Sequence, residues 1–278
     1  MTVQFGQARD GNTQLWRRWS ATEPTAAILL VHGIGEHSGR YLHVGEYLSG
    51  NGYDVMSFDN RGFGQSGGRR AHVDSFDEFL DDIEDLLEER RSFGVPVVLF
   101  GHSLGGLMAS TYLVSDRPQP DLAILSAPAL AAEVPGWQRV AAPILGRITP
   151  SMFIKGSEMT GLLSRDEEVE KAYHSDPLVI LGATAGLGHQ IFSTMEATAA
   201  GLSRISVPTY VLHGEDDKLV PQAASLPLVD HPKVTYRSWP GLRHECMNEP
   251  EKFEVLAEID QWLVGQLSDT SESTQKSA

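Results

Sequence analysis

Ser103 stands in the run Gly101-His102-Ser103-Leu104-Gly105, and that spacing is the first sign of chemistry in the chain. A serine hydroxyl is a weak nucleophile. It attacks a carbonyl when a base takes its proton and an acid orients that base. Before it lies an apolar run of strand type, Val95 to Phe100, and after it a run of helix formers, Leu107 to Leu113. Strand, sharp turn and helix together are the setting in which Gly-x-Ser-x-Gly pushes a serine hydroxyl out of a strained turn. Gly101 and Gly105 carry no Cβ to strike the neighbouring strand and helix. A helix starting near Leu104 aims unpaired N–H groups and its positive dipole end at the point where an oxyanion would form.

The partners of such a serine follow it in the order acid, then histidine. His213-Gly214-Glu215-Asp216-Asp217 follows one strand and Pro240-Gly241-Leu242-Arg243-His244 the next. His244 is the candidate base. Glu215, Asp216 and Asp217 compete for the orienting acid, and spacing does not choose among them. An oxyanion also needs two backbone donors. One is the N–H of Leu104, the other that of Ile34 in the loop His32-Gly33-Ile34-Gly35. Donation is by backbone, so apolar side chains are acceptable there. This loop lacks the Lys-Ser/Thr of a phosphate loop and the Gly-x-Gly-x-x-Gly of a dinucleotide site, and no His-Glu-x-x-His occurs. The expectation is no metal and no cofactor. His43, His72, His174, His189 and His231 read as structural or solvated.

The elements that must hold these residues follow from pattern. Gln14 to Trp19, Thr25 to Val31, Tyr53 to Phe58, Leu122 to Ser126, Thr209 to His213 and Val234 to Trp239 read as strands. Tyr41, Val44, Tyr47 and Leu48 have helical spacing, ended by Gly50-Asn51-Gly52. Ser75-x-x-Glu78 is a capping box for a helix that buries Phe76, Phe79, Leu80, Ile83, Leu86 and Leu87. Asn248-x-x-Glu251 is expected to cap a last helix with Phe253, Leu256, Ile259, Trp262 and Leu263 inward. Alternating strands and helices predict an α/β fold with a mostly parallel central sheet and helices on both faces. Between Pro128 and Val207 no strand is evident. That stretch reads as a helical cap over the carboxyl ends of the strands, where open α/β sheets bind ligands. The division expected is a core of 1–128 and 207–267, a cap of 129–206 and a disordered polar tail of 268–278.

Composition sets the remaining bounds. The 278 residues carry 22 basic and 37 acidic side chains, a net charge of −15, which argues against nucleic acid and against electrostatic docking on anionic lipid. The single cysteine, Cys246, excludes an internal disulfide. No window approaches the ~18 apolar residues of a membrane span, and Met1 to Arg18 lacks the order of a signal peptide. The expected location is the cytoplasm. Within the cap, Pro135 to Ile154 carries apolar residues at helical spacing, among them Ile144, Leu145 and Ile148. For the lipid-ester substrate that the family resemblance given next implies, they are expected partly to line an acyl channel and partly to meet lipid aggregates in reversible contact at a membrane surface; the alternative is that they only pack the cap onto the sheet.

The motifs now quoted, with His32-Gly33-Ile34-Gly35-Glu36-His37-Ser38-Gly39-Arg40-Tyr41, Asp59 to Gly67, and Leu163-Ser164-Arg165-Asp166 leading to Tyr173-His174-Ser175-Asp176-Pro177-Leu178, cover most of the chain. Together they resemble the monoacylglycerol lipase family of the α/β-hydrolase superfamily. The resemblance implies an α/β-hydrolase fold and a serine esterase that cleaves monoacylglycerol to glycerol and fatty acid. Ser103 would be nucleophile, His244 base, and Ile34 and Leu104 the oxyanion donors. It selects Asp217 as the acid, because the family's aspartate sits three residues after the glycine of His-Gly. It places Glu36, Arg40 and Tyr173 near the glycerol end of the substrate. The alternatives are a lysophospholipase or broad carboxylesterase, and a non-catalytic binding protein of the same fold. Dehalogenase and epoxide-hydrolase relatives usually need Asp where this chain has Ser103. The chain departs from the family's Asp-His-x-Gly-His-Gly with Asn60 and Phe63, and carries Leu104 where Met is frequent and Met247 where some members have histidine.

Overall fold

A computed structural model describes residues 1–131, 144–156 and 160–276. The apolar runs become strands β3 (Ala26–Val31), β4 (Tyr53–Phe58), β5 (Val97–His102), β6 (Leu122–Ser126), β9 (Thr209–Gly214) and β10 (Val234–Trp239). These six pair in parallel. An antiparallel hairpin, β1 (Thr2–Gln7) and β2 (Thr13–Trp19), extends the sheet beyond β4. The strand order is β1-β2-β4-β3-β5-β6-β9-β10.

Successive side chains of a strand point to opposite faces, so each central strand feeds two cores. Leu29, Val31, Val97 and Leu99 pack with Phe79 and Ile83 of helix α2 (Asp77–Arg91) and Leu107 of α3 (Leu104–Leu113). Ile28, Leu30, Val98 and Phe100 pack on the other face with Leu48 of α1 (Leu42–Gly50) and Leu256 and Ile259 of α6 (Lys252–Lys276). The chain winds from β3 to β4 in one direction and returns to lay β5 on the other side of β3. At that reversal the loops leaving β3 and β5 diverge above neighbouring carboxyl ends and leave a crevice. Ile34 and Ser103 lie on those two loops.

Several expectations are corrected. The stretch between β6 and β9 does contain strands: β7 (Phe153–Lys155) and β8 (Gly182–Thr184) pair antiparallel. Each is three residues long, too short to carry an alternating pattern. Two helices accompany them, α4 (Glu167–Ser175), capped by Asp166, and α5 (Ala185–Gly201), capped by Thr184. The hairpin partner β1, where no strand is predicted, is exposed along nearly its whole length. Asn248 does not cap α6. Its side chain donates to Glu245 Oε2 at 2.8 Å, and the helix starts at Lys252. Phe253 faces outward at 55% exposure and rests on Tyr47, Trp262 is half-buried, and Val255 takes an inward place. Helix α6 continues through Lys276, over residues expected to be a disordered tail. Extending an existing helix costs far less than starting one. The box at α2 forms with a shift: Glu78 accepts the Ser75 N–H at 2.9 Å, and Ser75 Oγ accepts from Asp77. Among the described residues no helix is long and apolar enough to cross a membrane.

Candidate active site

Ser103 follows the last residue of β5 and precedes the first of α3, at φ 53° and ψ −115°. That conformation is costly for a residue with a Cβ, and it persists because the surroundings over-determine it. The Ser103 N–H donates to the Ser126 carbonyl at 3.0 Å, and its own carbonyl accepts from Leu107 at 2.9 Å and Ala129 at 3.0 Å. The flanking glycines are required by contact. A Cβ on Gly101 would lie 2.2 Å from the Gly105 carbonyl oxygen, and one on Gly105 would lie 2.2 Å from that of Val31.

The serine hydroxyl lies 2.9 Å from His244 Nε2, and His244 Nδ1 lies 2.7 Å from Asp217 Oδ2. The other two candidate acids stand away from His244. Glu215 and Asp216 are exposed, and Glu215 accepts from the Ser238 hydroxyl. The Asp217 Oδ1 accepts the N–H groups of Leu219 at 2.8 Å and Val220 at 2.9 Å. Burial works against its charge, but His244, His213 and these bonds prevail and hold the carboxyl well below its usual range. For His244 burial again opposes charge. The charge of Asp217 and its hydrogen bond, helped by Glu245 and Glu36, outweigh burial and raise the imidazole above its ordinary value.

Ile34 is half-buried beside this chain of bonds, and no acceptor among the described residues takes its N–H. The Leu104 N–H opens α3, where the first N–H groups have no intrahelical partner. Glu36 accepts from Gly33 N–H at 2.6 Å, Tyr41 hydroxyl at 2.6 Å and Arg40 Nη1 at 2.7 Å. Burial would raise its carboxyl, but Arg40 dominates and lowers it. Arg40 also grips Glu245 through both terminal nitrogens, at 2.5 and 2.8 Å, and stacks over Tyr173.

A cavity of about 310 Å³ joins these parts. Ser103, His244, Ile34, Leu104, Glu36, Tyr173 and Glu245 all border it; Arg40 does not, standing behind Glu36 and Glu245. Helix α5 lends Ile191, Phe192 and Met195, the apolar wall. None of the described residues from 144 to 154 borders it, so the acyl-channel expectation for that segment is not met there. Trp137, Val140, Ala141 and Pro143 lie outside the described residues.

Four residues that sequence reasoning left without a role sit here. His102 packs its ring 4.9 Å from that of His244, and burial and that neighbour push it down to about 4, so it stays neutral. His213 Nε2 stands 3.2 Å from Asp217 Oδ2. Glu245 anchors Arg40, and His32 underlies the Ile34 loop. A signal was available: β3 and β9 both run into His-Gly, at His32-Gly33 and His213-Gly214.

A mostly parallel sheet with helices on both faces and a serine on a strand–helix turn is the architecture of the α/β-hydrolase fold. Residues 22–251 match the family model of serine aminopeptidase, S33 (Hydrolase_4). A monoacylglycerol lipase of Mycolicibacterium smegmatis is 33% identical over 254 residues, covering 88% of this chain and 90% of that one. The phospholipase YtpA of Bacillus subtilis is 32% identical, covering 86% of this chain and 95% of its own. The crystal structure of a monoacylglycerol lipase of Paleococcus ferrophilus superposes with a TM-score of 0.82 at 32% identity, over 96% of this chain and all of that one. The chain belongs to the serine aminopeptidase, S33 family, within its monoacylglycerol lipase branch, and is a carboxylic ester hydrolase.

Proposed function

We propose that the chain hydrolyses monoacylglycerols through an acyl-enzyme on Ser103. The observation that carries this reading is the unbroken series Ser103 Oγ, His244 Nε2, His244 Nδ1, Asp217 Oδ2 at the edge of a cavity apolar on one side and polar on the other. Ser103 attacks the ester carbonyl as His244 takes its proton. The Ile34 and Leu104 N–H groups hold the tetrahedral oxyanion. His244 then protonates the departing glycerol oxygen, and a water activated by the same histidine releases the fatty acid. Glu36 keeps acceptor capacity beyond its three bonds, and the Tyr173 hydroxyl supplies a donor, which suits glycerol hydroxyls. Arg40 acts from behind by fixing Glu36 and Glu245.

A phosphate head group suits the same end poorly. Two carboxylates, Glu36 and Glu245, face one guanidinium there, and the surplus is negative. The test is a hydrolysis panel of monoacylglycerols, lysophospholipids, diacylglycerols and short soluble esters. The reading expects monoacylglycerol to have the highest kcat/KM. A higher value for lysophospholipid replaces it with the phospholipase alternative.

The core of 1–128 and 207–267 with a cap of 129–206 belongs to the same reading. The α5 residues of the cavity wall lie within that cap and support it. The cap also presents an apolar outer face: Ile144, Ile148, Met152, Phe153 and Ile154 are all exposed, Ile148 at 74%. We read this face as the contact of a cytoplasmic enzyme with lipid aggregates. With a net charge of −15 the contact is apolar, reversible and weak. Ile144→Ser and Ile148→Ser should each lower the rate on vesicle-bound monoacylglycerol several-fold and leave a soluble short-chain ester unchanged. Leu145 is half-buried and serves as the packing control. Equal effects on both substrates would return the face to ordinary packing.

A further inference from the structure

The Ile34 N–H shares its peptide unit with the Gly33 carbonyl. In a trans peptide the two point in opposite directions, and the described residues contain no cis bond. Whatever holds the Gly33 oxygen therefore aims the Ile34 N–H. Gly33 has no Cβ to limit ψ on its side of this peptide, whereas a full turn would drive the β-branched Ile34 to positive φ, so the motion to be restrained is a tilt. A tilted peptide would carry the Ile34 N–H off the place where the oxyanion forms.

His32 holds that oxygen. Its Nδ1 lies 2.8 Å from the Gly33 carbonyl, and its Nε2 lies 2.8 Å from the backbone N–H of Asn60. An amide N–H only donates and a carbonyl only accepts, so one tautomer satisfies both: Nδ1 protonated, Nε2 bare. The ring is fully buried, with Phe63 edge-on to it at 6.3 Å, and the Asn60 side chain donates to the His32 carbonyl at 3.1 Å. Burial lowers the pKa of the ring and favours its neutral form against the opposing charges of Glu36 and Asp59. The clamp uses the backbone of residue 60, so Asn in place of the family's usual His leaves it intact. Glu36 pins the preceding peptide through Gly33 N–H, and the Gly35 carbonyl accepts from Ile180 at 2.7 Å.

We infer that His32 is a positioning residue of the ester hydrolysis, locking the Gly33–Ile34 peptide so that the Ile34 N–H faces the oxyanion. This rests on the proposed acyl-enzyme reading. The competing role is a purely structural histidine bridging the ends of β3 and β4.

Two substitutions separate them. In His32→Asn the side-chain amide falls where Nδ1 is and can still donate to the Gly33 oxygen. In His32→Gln it falls where Nε2 is, accepts from Asn60 and leaves the Gly33 oxygen free. Rates are taken per site labelled by a fluorophosphonate, on protein of native circular dichroism. His32→Asn should stay within a few-fold of wild type. His32→Gln should lose about tenfold to a hundredfold in kcat with KM little changed, a large part of what a missing oxyanion donor costs. Affinity for a trifluoromethyl ketone, which forms the same oxyanion, should fall in parallel. Equal rates for the two variants would overturn the inference, as would equal losses. Nitrogen-15 spectra of wild-type imidazoles give an answer that needs no variant: a His32 protonated on Nε2 also overturns it. Failure of the acyl-enzyme reading looks different, since wild-type Ser103 would then take no fluorophosphonate label.

Discussion

Ser103→Ala is expected to lose ester hydrolysis by about 10⁴-fold or more in kcat while keeping the fold. The loss is large because the covalent route disappears with the hydroxyl. A residual rate should survive from the proposed Ile34 and Leu104 donors and from substrate binding, which together would still favour attack by water. Stability should change little. Alanine at φ 53° meets the same backbone cost as serine, and the bonds fixing residue 103 are made by its backbone. Kinetics with a long-chain monoacylglycerol, thermal melts and mass spectrometry after fluorophosphonate treatment check the three statements. An adduct on a serine other than Ser103 in active protein would remove Ser103 from the mechanism.

Asp217→Asn is expected to cost about 10³- to 10⁴-fold in kcat. The new amide donates towards His244 Nδ1 and so favours the tautomer with the proton on Nε2, where it cannot accept from Ser103. The imidazolium formed during attack also loses its counter-charge. The pH profile carries a second signature. The base works when neutral, so kcat/KM of the wild type should rise with pH as His244 loses its proton, with a midpoint above the ordinary value of about 6.5. Asp217 is the strongest of the charges raising it, so the residual activity of the variant should rise at lower pH than that of the wild type. Asp216→Asn and Glu215→Gln should be mild, both side chains being exposed. A crippled Asp216→Asn beside an active Asp217→Asn would move the acid by one residue.

What the sequence could determine was what neighbouring residues decide together. The turn at Ser103 is legible because its glycines, strand and helix lie within a dozen residues. The capping of α2 and the burial of Ile83 and Leu86 follow from periodicity in the same way. The order serine, acid, histidine names candidates, yet Ser103 and His244 are 141 residues apart and His244 and Asp217 are 27 apart. Three adjacent acids could not be ranked by spacing. The family resemblance picks Asp217, and the fold supplies the physical reason by turning it inward onto two backbone N–H groups and His244 while leaving its neighbours in water. The same limit explains the corrections. Phe253 shares the helical period of Leu256 and Ile259 but stands at the start of α6, beyond the core. Asn248 has the chemistry of a helix cap, but Glu245 takes its amide. The pairing of β7 with β8 joins segments too short to announce themselves. His32 and His102 acquire their roles only when Asn60 and His244 arrive beside them. A side chain's intrinsic preferences are local and small, and a buried partner from a distant segment outweighs them because a polar group out of water must be satisfied.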